Sequence, residues 1–104
     1  MMRGMGNMQG MMKQMQKLQK EMTETKAALD VQEFVGQAGN GLVEVTMTGD
    51  KKIKAIAIKP EVIDPEDVEM IEDLVMAATN NVLDIVDTET EKVMGKYAKN
   101  LPGF

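Results

Sequence analysis

The sequence predicts an α+β fold: a long N-terminal helix, a three-stranded antiparallel meander, and a long C-terminal helix with a short tail. Three observations predict it. Apolar residues recur by threes and fours over residues 8–29 and again over 68–86, the helical period. Between them, residues 42–58 alternate apolar and polar with period two. Gly39-Asn40-Gly41, Gly49-Asp50 and Pro60 punctuate the alternating stretch where a meander needs its turns. A chain of 104 residues has room for one domain, residues 1–104.

The first helix is expected from about Met8 to Leu29, with Met8, Met11, Met15, Leu18, Met22 and Leu29 on one stripe and Thr25 filling the remaining slot. That is a heptad seam over three repeats. Lys13, Lys17 and Lys20 fall on the side away from the seam, with Gln9 and Gln16. Residues 1–7 contain two Gly and little to pack, and they are expected to be flexible.

The first strand is expected at Val31–Val35, closed by Gly36. Leu42–Thr48 sets Val43, Val45 and Met47 against Glu44, Thr46 and Thr48. Lys52–Ile58 sets Ile56 and Ile58 with Lys52 and Lys54 against Ile53, Ala55 and Ala57. Three strands leave exposed edges, and pairing across a two-fold axis is one remedy.

The second helix is expected to open at Asp64-Pro65-Glu66-Asp67, with Asp64 as N-cap and Pro65 at the first helical position. Val68, Ile71, Val75, Ala78, Val82 and Ile85 form its buried stripe, widened by Met70 and Leu74. Glu66, Glu69, Asp73, Asn80, Asp84, Asp87 and Glu91 form the opposite face. Periodicity fades after Val86, so Gly95 and Pro102 mark a flexible tail over residues 95–104.

Composition narrows the function. Cys, His, Ser and Trp are absent, which removes disulfides, thiolate metal sites, the usual nucleophiles and the commonest general base. The chain reads as a non-enzyme without a cofactor or a metal. With one Tyr and two Phe the core is aliphatic and thin, and a second copy would enlarge it. No apolar run is long enough for a signal peptide or a membrane span, so a cytoplasmic location without membrane contact is expected. The net charge of −5 conceals segregation. Residues 1–29 carry a local +3, residues 60–91 carry eleven acids and no base, and Lys92, Lys96 and Lys99 close the chain unopposed. An acidic protein can therefore still present a cationic surface.

Several patterns admit more than one use. Gly36-Gln37-Ala38-Gly39-Asn40-Gly41 lacks phosphate-cradle spacing and leads into a strand, so it reads as a hairpin turn. Glu69 and Asp73 lie one helical turn apart, but a regular helix cannot converge the six oxygens a calcium site needs. Twelve Met, eight of them in the first 22 residues, could pack as a seam, form a surface for partner helices, or ligate Cu(I) through soft thioethers. Heptad spacing favours the seam. Residues 8–29 lack the Trp or Phe anchor of a membrane-surface helix.

From Gly36 onward the chain resembles the YbaB/EbfC family of bacterial nucleoid-associated DNA-binding proteins. The resemblance is carried by the run from Gly36 through Leu42-Val43-Glu44-Val45-Thr46-Met47-Thr48 to Gly49, the strand Ile53–Ile58, and Pro60-Glu61-Val62-Ile63-Asp64-Pro65-Glu66-Asp67. Glu69 to Val75, Ala77-Ala78, Asn80, and the closing Leu101-Pro102-Gly103-Phe104 add to it, as does the Met/Gln/Lys-rich segment from Met11. The resemblance implies a nucleoid-localised homodimer with a central antiparallel sheet and helices projecting like tweezers onto duplex DNA. Two departures are visible: Lys59 stands where Asp is common before Pro60, and Asp84, Asp87, Glu89 and Glu91 stand where many members carry more Lys.

On this reading double-stranded DNA is the partner, held by Arg3, Lys13, Lys17, Lys20, Lys92, Lys96 and Lys99 of both copies through backbone charge with low sequence specificity. Met8, Met11, Met15, Leu18 and Met22 are the expected dimer contact. The alternative is a protein-interaction module whose Met-rich helix docks a protein partner, with DNA binding weak or incidental.

Overall fold

The chain begins as one long helix, α1 (Met2–Val31), and turns directly into a three-stranded antiparallel sheet of β1 (Glu33–Ala38), β2 (Val43–Thr48) and β3 (Ile53–Ile58). A 3₁₀ turn at Pro60–Val62 leads to the second long helix, α2 (Val68–Asn100). This computed structural model describes the backbone of residues 2–100 and the side chains of residues 8–97. Arg3 and Lys99 therefore have no described side chains, and Leu101 to Phe104 lie outside the described residues.

β2 sits between β1 and β3, with Phe34, Gly36 and Ala38 opposite Met47, Val45 and Val43. α2 crosses one sheet face and lays Ala78, Val82 and Val86 on Phe34, Val43, Val45 and Met47, forming the core. Leu29 closes that core at the end of α1. The meander turns as the sequence requires. Gly39, Asn40 and Gly41 all have positive φ, a run that only Gly and Asn adopt without large strain.

The first strand starts later than Val31 and passes through Gly36, because α1 continues to Val31 and Gly36 is a packing position inside the strand. A Cβ there would stand 2.4 Å from the Val82 amide nitrogen. Helix and sheet approach so closely that no side chain fits between them.

β3 departs from simple alternation. Thr46 faces Ala55, but Met47 faces Ile53, so the register shifts between the two pairs. The irregularity turns Ile53 onto the same face as Ile56 and Ile58. Both Ile53 and Ile56 remain 47 % exposed, beyond the flank of α2.

The cap of α2 is Asp67, not Asp64. The Asp67 carboxylate accepts from the Met70 N–H at 3.3 Å, and the helix starts at Val68. Asp64 instead orders the preceding turn: its carboxylate accepts from the Glu66 N–H at 2.9 Å, and its carbonyl accepts from the Asp67 N–H at 3.0 Å. Pro65 occupies that turn, a position as natural for its fixed φ as the first turn of a helix. In the buried stripe Val86 replaces Ile85, and Val68 is exposed. The helix also runs through Gly95 to Asn100 rather than yielding to a tail at Gly95. Tyr97, only 3 % exposed, anchors that end against α1.

Candidate nucleic-acid interface

α1 and α2 run antiparallel where they meet, and the contact is made by the half of the α1 stripe nearest the sheet. The Thr25 and Tyr97 hydroxyls share a hydrogen bond of 3.1 Å. Met22, Thr23 and Ala27 of α1 face Thr90 and Met94 of α2 across an open, mostly apolar groove. The Lys26–Asp30 ion pair stands at its margin. Within the groove region the Thr90 hydroxyl is buried without a hydrogen-bond partner among the described residues.

The expected heptad seam therefore has two fates. Its Met22–Leu29 half is covered by α2 of the same chain. Its outer half, Met8, Met11 and Met15, continues past the crossing and is exposed, while Leu18 is half-buried. The N-terminal part of α1 is thus a lone arm on a molecule 79 Å long. Met8 to Met22 spans roughly 21 Å along the axis at 1.5 Å per residue.

Lys13, Lys17 and Lys20 are exposed on that arm, and the helical spacing sets them on the side away from the methionines. None of the three, nor Lys92, makes an ion pair or hydrogen bond among the described residues. Lys96 lies over the Tyr97 ring with its ammonium 5.0 Å from the centroid. The Thr25–Tyr97 pairing puts Lys96 level with Lys26, so Lys13 and Lys96 are roughly 20 Å apart along the helix axis. By the same pairing Lys92 is level with Asp30, so Lys92 and Lys96 stand at the base of the arm and not along it.

The acidic residues are placed differently. Asp84, Asp87 and Glu91 fall on a side of α2 that the 100° helical step separates from Lys92 and Lys96. Asp87 accepts from Lys51 of the β2–β3 turn at 2.8 Å, which directs that acidic face toward the sheet end. Glu21 and Glu24 are exceptions, sharing the arm with its lysines, and so is Glu89, which the helical step sets on the side of Lys92 and Lys96. Among the described residues no group of three or more His, Cys, Asp or Glu side chains is arranged to hold a metal ion. Among them, too, no helix is long and apolar enough to cross a membrane.

Sequence reasoning missed the half-exposed apolar flank of β3, Ile53 and Ile56, because strict alternation places them on opposite faces. Only the register irregularity brings them together, and Lys54, the β3 residue skipped between the Ala55 and Ile53 pairs, is not a residue type that announces it.

Comparison with known proteins gives a consistent result. A solved structure, the uncharacterized protein HP0035 from Helicobacter pylori, superposes with a TM-score of 0.69 at 17 % identity, covering 83 % of this chain and 90 % of that one. That likeness concerns the fold. A nucleoid-associated protein of Enterococcus faecalis is 57 % identical over 104 residues, the full length of both chains. One from Ligilactobacillus salivarius is 52 % identical over 104 residues, covering 100 % of this chain and 99 % of that one. One from Listeria monocytogenes serotype 4a is 57 % identical over 105 residues, covering 99 % and 100 %. The model of the YbaB/EbfC DNA-binding family matches residues 5–101. With full-length relatives, a matching fold and a free arm of unpaired lysines, the chain belongs to the YbaB/EbfC DNA-binding family.

Proposed function

We propose that this chain is a nucleoid-associated protein that binds duplex DNA as a homodimer, through phosphate contacts with little sequence preference. The observation that carries the reading is the lone arm of α1, whose Lys13, Lys17 and Lys20 are exposed and unneutralised among the described residues. Lys92 and Lys96, at the base of the arm, join the set, with Arg3 and Lys99 assigned to it from the sequence alone. The family and the names of the full-length relatives support DNA as the partner and the nucleoid as the location. Bidentate reading of guanine favours Arg, and the chain has one, so base specificity is weak.

Two copies are needed to clasp a duplex, and the β3 edge is the contact we favour. Its outer backbone groups have no neighbouring strand among the described residues, and Ile53 and Ile56 flank that edge half-exposed. A two-fold pairing there would extend the sheet and leave both α1 arms free. The second reading, a protein partner docked on the Met-rich helix, is favoured by one observation: Met8, Met11 and Met15 are left uncovered by the described residues.

Salt titration of binding to a random-sequence duplex tests the mechanism. Seven cations per chain give 14 per dimer. If about half release counterions, log K falls against log salt with a slope near −6. A slope near zero sinks the proposal.

A further inference from the structure

The arm that carries the lysines also carries four exposed thioethers in a row. Met8, Met11, Met12 and Met15 are 64, 62, 59 and 42 % exposed, whereas Met47 in the core is 3 % exposed. Exposure controls how readily a thioether meets a solution oxidant. These four also have a structural duty that a buried methionine lacks. Among the described residues no tertiary packing holds residues 8–17 helical, Gly10 lies among them, and a helix without packing is marginal in water. What remains is local: Met8 with Met11 and Met12, Met11 with Met15, Met12 with Met15, and Met15 with Leu18 at the three- and four-residue spacings where apolar side chains pair on one face.

We propose that Met8, Met11, Met12 and Met15 form an oxidation-sensitive stripe whose conversion to methionine sulfoxide by peroxide unwinds the arm and weakens DNA binding. The consequence for DNA rests on the reading above. In the chemical step a sulfur lone pair attacks one peroxide oxygen. The O–O bond breaks, an S–O bond forms, and the proton on the transferred oxygen passes to the departing hydroxide, which leaves as water. The sulfur is oxidised by two electrons and the peroxide is reduced. Each product side chain is polar and no longer pairs with its apolar neighbours. Lys13, Lys17 and Lys20 ride on the same turns, so loss of the helix scatters their spacing. The modification is reversible, because methionine sulfoxide reductases return the thioether.

The experiment treats the full-length protein with graded hydrogen peroxide. It follows sulfoxide at each methionine by peptide mass spectrometry, helicity by far-ultraviolet circular dichroism, and duplex affinity by fluorescence anisotropy. The four arm methionines should oxidise about tenfold faster than Met47. Helicity should fall, and affinity should drop by about tenfold as the lysines lose their register with the phosphates. Both should recover with the two reductase types. A variant with Leu at all four positions should lose the peroxide response, measured against its own untreated helicity and affinity, even though Met76, 57 % exposed on the body, still oxidises. Arm methionines as slow as Met47 would show the stripe covered in solution and overturn the proposal. Full oxidation with unchanged helicity and affinity would overturn it too. Untreated protein that fails to bind duplex overturns the nucleic-acid reading itself, whereas normal binding with no peroxide response overturns only the switch.

Discussion

Thr25 and Tyr97, 72 residues apart, join their hydroxyls at 3.1 Å where α1 and α2 cross. The bond sits beside a Tyr ring that is 3 % exposed, so it fixes both the crossing and the level at which the α1 arm leaves the body. Tyr97→Phe keeps the ring and removes one hydroxyl, and it should cost about 1 kcal/mol in denaturant unfolding. Tyr97→Ala opens a cavity as well and should cost about 3–5 kcal/mol. Equal stabilities for the two variants would mean that the ring is not packed as described.

Gly36 and Val82 set the distance between sheet and helix. A Cβ at Gly36 would meet the Val82 amide nitrogen at 2.4 Å, and backbone cannot step aside as a flexible side chain can. Gly36→Ala should therefore destabilise by about 1–3 kcal/mol, the range for overpacking. A Gly10→Ala change on the arm, where nothing lies within 4 Å, should go the other way and raise helicity. A Gly36→Ala protein as stable as the parent would refute the close approach.

The same glycine shows where the sequence is legible and where it is not. Periodicity announces both helices, and alternation announces β2, because those signals arise from local burial that repeats along one element. Gly36 looks like a strand terminator, and nothing in the local pattern distinguishes that from a tertiary approach to Val82. Asp64 and Asp67 offer the same carboxylate three residues apart, and only the hydrogen bond to Met70 decides between them. The Met stripe reads as a single interface. It divides because its sheet-proximal half meets α2, a meeting of segments some 70 residues apart that no heptad count reveals. The lysines of the arm are legible from charge alone; that Lys92 and Lys96 stand at its base requires the antiparallel crossing.

A pH response is expected at the β2–β3 turn. The Thr48 hydroxyl donates to the Asp50 carboxylate and is the largest influence holding that carboxyl below its ordinary range; desolvation opposes it and Lys52 assists. A depressed folded-state value contributes stability above the unfolded pKa, and that stability is lost as pH falls through the folded value. Thr48→Val should raise the Asp50 pKa measured by NMR titration, and the stability gap from the parent should narrow in acid. An Asp50 titration that does not move would remove Thr48 as the cause.

The proposed homodimer contact can be tested at β3. Ile56 is 47 % exposed in the single chain, so Ile56→Asp should leave the fold intact while placing a charge in the proposed contact between copies. Light scattering should report a monomer, with duplex affinity reduced because each copy then presents only half of the cations. Should Ile56→Asp remain dimeric while Met11→Lys with Met15→Lys dissociates, the outer Met stripe is the contact instead.

The decisive comparison between DNA and a protein partner uses Lys13→Glu with Lys17→Glu. Both side chains are exposed and unpaired among the described residues, so folding should change by less than about 0.5 kcal/mol. If the arm lies along phosphate, reversing four charges per dimer should lower duplex affinity by at least about a hundredfold at moderate salt. The salt slope should become shallower by about 1 for every phosphate that the variant no longer engages. If the arm instead docks a protein through Met8, Met11 and Met15, the same variant keeps that partner, because the lysines lie on the side of the helix away from the methionines. Unchanged DNA affinity would take Lys13 and Lys17 out of the nucleic-acid interface and remove the observation on which the DNA reading rests.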